Sequence, residues 1–116
     1  MRMETESQSV IVVVCAVPDE GLAGEIARDL LEKRLAACVN VSARSMSHYR
    51  WQGKIVSDQE VILMIKTRAG QYAQVQAAIV ALHPYDTPEI IALPLVDGLP
   101  AYLDWVRTET GNEEHP

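Results

Sequence analysis

The first patterned stretch of the chain is Val10-Ile11-Val12-Val13-Val14-Cys15-Ala16-Val17, apolar at every position and rich in β-branched residues. β-Branched side chains favour the extended chain. An unbroken apolar run of this kind predicts a strand covered on both faces, and so a central one in its sheet. Pro18-Asp19-Glu20 ends it, and Asp19 or its neighbour is placed to cap a following helix. Leu22, Ile26 and Leu30 then recur at helical spacing beside Ala23, Ala27 and Leu31, giving one apolar helix face that ends near Arg34. Asp29 and Lys33 have the spacing and order of a weak surface pair.

From Ala36 to Tyr49 the pattern alternates: Val39 and Val41 lie on one face, Cys38, Asn40 and Ser42 on the other. This is a second strand, and Trp51-Gln52-Gly53-Lys54 reads as its hairpin turn, since glycine supplies the left-handed conformation such turns need. The third strand has an almost continuously apolar centre, Glu60-Val61-Ile62-Leu63-Met64-Ile65-Lys66, and is predicted to be central too. Tyr72, Val75, Ile79 and Leu82 define a second helix. His83-Pro84 stops it, because proline disfavours helical geometry in the residue before it. Ile90 to Val96 is a fourth strand whose Pro94 cannot donate to a ladder and so belongs at a sheet edge. Tyr102 to Val106 predicts a short closing helix. The order β-α-β-β-α-β with that helix is the ferredoxin-like α/β (α+β) sandwich, one antiparallel sheet with both main helices on one face. Its first and third strands are central, and those are the two that read as apolar throughout.

A sheet with one solvated face should alternate cleanly, and the central strands do not. Something must cover the second face: another copy of the chain, or the terminal helix with Tyr102 and Trp105 folded back over part of it.

At 116 residues the chain holds one core. A domain over 10–107 is expected between a polar N-terminal tail, 1–9, and an acidic C-terminal tail, 108–116. Of the net charge of −6, the tails contribute −4, through Arg2 against Glu4 and Glu6, and through Glu109, Glu113 and Glu114. The domain itself is nearly balanced. It shows no basic stripe for nucleic acid and nothing to attract an anionic membrane surface, and no apolar run long enough to span a bilayer. The two cysteines, Cys15 and Cys38, form no CxxC pair and read as reduced thiols of a soluble cytoplasmic protein. Ser42, Ser45, Ser47 and His48 are present, but no nucleophile elbow or glycine-rich phosphate loop is. An enzyme is not expected.

Several motifs, in order, resemble the CutA divalent-cation-tolerance family. They are Cys15-Ala16-Val17-Pro18-Asp19-Glu20, Leu35-Ala36-Ala37-Cys38-Val39-Asn40, Tyr49-Arg50-Trp51-Gln52-Gly53-Lys54, Ile65-Lys66-Thr67, His83-Pro84-Tyr85-Asp86-Thr87-Pro88-Glu89-Ile90 and Tyr102-Leu103-Asp104-Trp105. The resemblance spans about Val10 to Arg107. It implies a homotrimer in the bacterial cytoplasm, a link to copper tolerance and copper binding, and an architecture similar to the PII signalling proteins. It also implies a copper site made by a cysteine after the first strand and two adjacent histidines. Cys15 matches the cysteine and His83 the second histidine, while Leu82 stands where the first would be.

Thiolate and imidazole suit copper or zinc better than hard cations, which makes Cys15 and His83 the metal candidates. Their bland alternatives are a packed core thiol and a residue favoured by a helix C-terminus. Tyr49, Trp51, Glu60, Lys66, Tyr85 and Glu89 form a second constellation of carboxylates, an amine and aromatics, as a small polar pocket would need. The resemblance places them near subunit contacts, where they could equally be interfacial packing. Three functions remain open: a metal-responsive binding protein, a PII-like trimer holding a small ligand at subunit clefts, and a trimeric interaction scaffold.

Overall fold

The structure is a computed structural model that describes residues 6–111. Strand β1 (Val10–Val17) leads into helix α1 (Glu20–Glu32), followed by β2 (Cys38–Val41), β3 (Ser45–Trp51) and β4 (Lys54–Arg68). A 3-10 turn at Ala69–Gln71 enters helix α2 (Tyr72–Leu82), and β5 (Ile90–Pro94) and helix α3 (Pro100–Glu109) complete the described chain. The sheet order is β2-β4-β1-β5, with β3 paired to the outer part of β4, and every pairing is antiparallel. The architecture is the ferredoxin-like one. The two apolar strands, β1 and β4, are central, and Pro94 lies on the edge strand β5 as its missing donor requires.

Local rules account for the helix ends. Asp19 caps α1 by accepting a 2.8 Å hydrogen bond from the Leu22 amide, and α1 buries Ala23, Ile26 and Leu30. Lys33 and Asp29 pair at 3.1 Å on its exposed side. Helix α2 buries Val75 and Ile79, and His83 leaves it with an extended backbone before Pro84. Between these helices and the sheet lies the core, built on Val13, Cys15 and Val17 of β1 and Val61, Leu63 and Ile65 of β4.

The second strand of the sequence reading, Ala36 to Tyr49, is two strands. Val41 stands opposite Leu63 and Ser45 opposite Glu60, so residues 42–44 face only 61–62, a β-bulge. Ser42 carries it: its amide donates to the Ile62 carbonyl at 2.9 Å, and its own hydroxyl accepts the Ile62 N–H at 2.9 Å. A side chain thus replaces one backbone rung. Beyond the bulge, β3 and the first part of β4 form an arm, and the protein measures 49 × 27 × 23 Å. The arm closes at Gln52-Gly53, both with positive φ (51° and 78°), the requirement of a two-residue type I′ turn.

Helix α3 is longer than the sequence pattern indicates. Thr108 and Glu109 belong to it, and Thr110 is buried, which moves the edge of the domain past Arg107. Arg68 donates to the Thr110 hydroxyl at 3.0 Å and Arg34 to the Thr108 carbonyl at 2.9 Å. At the other end Arg107 donates to the Gln8 carbonyl at 2.9 Å, and the Ser9 carbonyl accepts the Ala69 N–H at 2.7 Å, so part of the expected N-terminal tail is tied to the domain. The rest of both tails, 1–5 and 112–116, lies outside the described residues. Among those described, no helix is long and apolar enough to cross a membrane.

Residues opposite one another in a pair share a face, so the register defines the sheet's second face. Helix α3 lies against β1 and β4 and buries Val106; Val10 and Val12 are also buried, and Tyr102 of α3 neighbours Cys38. It covers one end only. Further along, Met64 and Ile91 remain 42 % and 49 % exposed, and on the edge strand Leu93, beside Val12, remains 45 % exposed.

Candidate functional site

The bulge decides what the arm displays. In β2 the even residues, Cys38 and Asn40, share the second face with Lys66 and Met64. After the surplus residue the parity flips, and Ser47 and Tyr49 stand opposite Asp58 and Val56 on that same face. Period-two spacing adds Trp51 and Glu60. The loop between α2 and β5 then folds over the end of β1. The His83 Nε2–H donates to the Ala16 carbonyl at 2.8 Å, and Nδ1 accepts the Tyr85 amide at 3.2 Å. The rings of His83 and Tyr85 lie 4.8 Å apart and tilted. Strand end, arm and loop enclose a cleft of about 700 Å³.

Five members of the expected constellation meet there: Tyr49, Trp51, Glu60, Tyr85 and Glu89. Lys66 does not. It lies about 20 Å along β4 from Glu60, by the rise of a strand, and donates to the Asn40 side-chain carbonyl. Asp58 and Asp86 also line the cleft and were not singled out from the sequence. Asp58 had a legible signal, since a residue two before Glu60 in a strand shares its face.

Among the described residues the cleft has four carboxylates, Asp58, Glu60, Asp86 and Glu89, and no lysine or arginine in its lining. Its field is negative, and neighbouring groups register it. The hydrogen bond that the Tyr49 hydroxyl donates to Asp58, then burial and nearby charge, pushes Tyr49 up to about 12. Burial raises Tyr85, helped by Glu60 and Asp58. His48, also in the lining, shares a 2.7 Å hydrogen bond between Nδ1 and the Ser57 hydroxyl.

Cys15 and His83 are differently placed. Cys15 is fully buried in the helix-side core, and burial, with the charges of Glu89 and Glu60, pushes its thiol up to about 12. The protonated thiol is therefore the resting form. Both His83 nitrogens are engaged, one donating and one accepting. As folded, the pair presents no open thiolate–imidazole set. Among the described residues no three His, Cys, Asp or Glu side chains converge to hold one ion.

Comparison with known proteins places this architecture. Residues 11–109 match the family described as CutA1 divalent ion tolerance protein. The Divalent-cation tolerance protein CutA of Thermus thermophilus is 49 % identical over 100 residues, covering 86 % of this chain and 97 % of that protein. Protein CutA, chloroplastic, of Arabidopsis thaliana is 40 % identical over 114 residues, 97 % of this chain but 63 % of the plant protein. The solved structure of the Thermus thermophilus protein superposes with a TM-score of 0.86 at 48 % identity, over 88 % of this chain and 99 % of that one. The chain belongs to the CutA1 divalent ion tolerance protein family, whose description names ion tolerance and no enzymatic reaction.

Proposed function

We propose that this protein serves divalent-cation tolerance as a cytoplasmic homotrimer that takes up divalent cations, copper among them, at the acidic cleft. The observation that carries the reading is the sign of the cleft: among the described residues, four carboxylates and no lysine or arginine in its lining. Such a site concentrates cations and repels phosphates. That weighs against a PII-like nucleotide site, for which Lys66 would have been the amine. Among the described residues no closed ligand set forms, so the cation is held largely by charge and remains partly hydrated. Copper(II) heads the affinity order of the divalent metals for such nitrogen and oxygen donors.

The trimer is supported by the half-exposed Met64, Ile91 and Leu93. Completing the burial of each contributes about 1 kcal/mol, half the value for a whole side chain. The arm adds Trp51 and Ile55, 55 % and 74 % exposed at its end. A three-fold ring lets each chain offer its arm to the next and closes the series. The free thiols Cys15 and Cys38 suit a reducing compartment.

Isothermal titration with copper(II) and zinc(II) tests the cation reading. Asp86→Asn with Glu89→Gln should weaken binding, and Cys15→Ser or His83→Ala should leave it nearly unchanged. Loss with the thiol and imidazole variants alone would move the site to Cys15 and His83.

A further inference from the structure

The inner half of the cleft is not built like a metal cage. Glu60 lines it and is only 8 % exposed. Among the described residues no hydrogen bond or ion pair reaches its carboxylate; Ser45 bonds only the main-chain carbonyl of Glu60, at 3.2 Å. Its oxygens still meet the water of the cleft, since among the described residues the one buried polar side-chain atom left without a partner is Gln71 Oε1. A carboxylate this enclosed and unpaired nonetheless favours a ligand that brings the positive charge. Asp58, by contrast, already has the Tyr49 hydroxyl.

The walls narrow the choice. Tyr49, Trp51 and Tyr85 line the same cleft, and an aromatic face attracts a cation while offering a metal ion no lone pair. A bare divalent ion needs several convergent oxygen or nitrogen ligands, and among the described residues no three His, Cys, Asp or Glu side chains converge on one point. A volume of about 700 Å³ is that of a small-molecule site. An anion would meet four carboxylates, and a neutral apolar molecule would leave Glu60 unpaired. What fits charge, walls and volume together is a cation with an apolar skirt.

We propose that the cleft binds an organic cation, an alkylammonium group whose buried counter-ion is Glu60 and whose walls are Tyr49, Trp51 and Tyr85. The proposal rests on the reading of the cleft as cation-facing and names the ligand class of its inner half. Such a group could arrive on a free amine or on a lysine of a second copy. The free amine is favoured, because the cleft offers room for a whole diamine-sized molecule and carries further carboxylates, Asp86 and Glu89, to receive a second ammonium.

The test is calorimetric titration of the full chain with putrescine and with butane-1,4-diol, its neutral counterpart of equal length, at constant ionic strength. Putrescine should bind saturably, one per chain, and the diol should not. Glu60→Gln should weaken putrescine at least tenfold. Tyr85→Leu, on an exposed loop, should weaken it several-fold and covers the case in which the Glu60 variant does not fold. Tetramethylammonium, which cannot donate a hydrogen bond, should compete with putrescine through the rings. Equal binding of diol and diamine, or unaltered affinity in a folded Glu60→Gln protein, would overturn the proposal. So would putrescine binding only after dilution separates the chains, which would assign the site to a lysine of a second copy. Metal binding without putrescine binding would overturn this inference alone; silence to both would overturn the cation reading with it.

Discussion

Replacing His83 with alanine removes the strap that holds the loop over the cleft. Its Nε2–H donates to the Ala16 carbonyl at 2.8 Å and its Nδ1 accepts the Tyr85 amide at 3.2 Å. Ala16 is 2 % exposed, so its carbonyl would lose its ring partner at a largely buried position, at a cost of about 1–3 kcal/mol. The Tyr85 amide lies in an exposed residue and can turn to solvent, so its bond contributes about 0.5–1.5 kcal/mol. Lost packing of the buried ring adds to these, for a total of roughly 2–4 kcal/mol. In a domain of this size that lowers the midpoint of thermal unfolding by roughly 10 °C. His83→Gln, whose amide can still donate towards Ala16, should recover part of the loss. Urea unfolding followed by circular dichroism measures both variants, at one fixed chain concentration because assembly shifts apparent stability. A loss below about 0.5 kcal/mol, the scale of an ordinary surface change, would refute the strap and return His83 to the list of free ligands.

The buried Cys15 should be inert to a thiol reagent in native protein, since its thiol is held near 12, while the half-buried Cys38 reacts first. Ellman titration should therefore give one thiol quickly and the second only on unfolding; two fast thiols would contradict the burial. The Tyr49 hydroxyl, raised to about 12 chiefly by its hydrogen bond to Asp58, binds its proton more tightly folded than unfolded. Its contribution to stability is complete below about pH 10, the ordinary tyrosine value, and is lost as pH rises through the folded value. Ultraviolet titration of tyrosinate should show a late step that Tyr49→Phe removes, and a late step surviving the substitution would mean another tyrosine carries it.

Where a local rule decided the outcome, the sequence could be read. The unbroken apolar runs of β1 and β4 placed both in the sheet centre, Pro94 marked an edge, Asp19 marked a cap, and Gly53 marked the turn of the arm. Where a distant partner decided it, the sequence could not be read. Ser42 looks like any polar strand residue until Ile62 lies opposite, and only then does its hydroxyl replace a rung and reverse the facing of all that follows. The arm half of β4, with Ser57, Asp58 and Gln59, shows no strand pattern because it pairs with β3 alone and faces no core. Lys66 and Glu60 share a face by spacing, yet strand rise keeps them at opposite ends of it. Five residues of the cleft were therefore legible by type and motif. Their company with Asp58 and Asp86, and the sign of the site, required the register.

Light scattering coupled to size-exclusion chromatography, on dilute protein, tests most directly the claim that copies of the chain cover the bare part of the sheet. A mass of three chains is expected at every concentration at which the protein stays folded. Ile91→Asp, which sets a charge on the exposed end of the second face, should lower that mass while circular dichroism still reports a folded chain. A stable, folded wild-type monomer with Met64, Ile91 and Leu93 open to water would contradict the account.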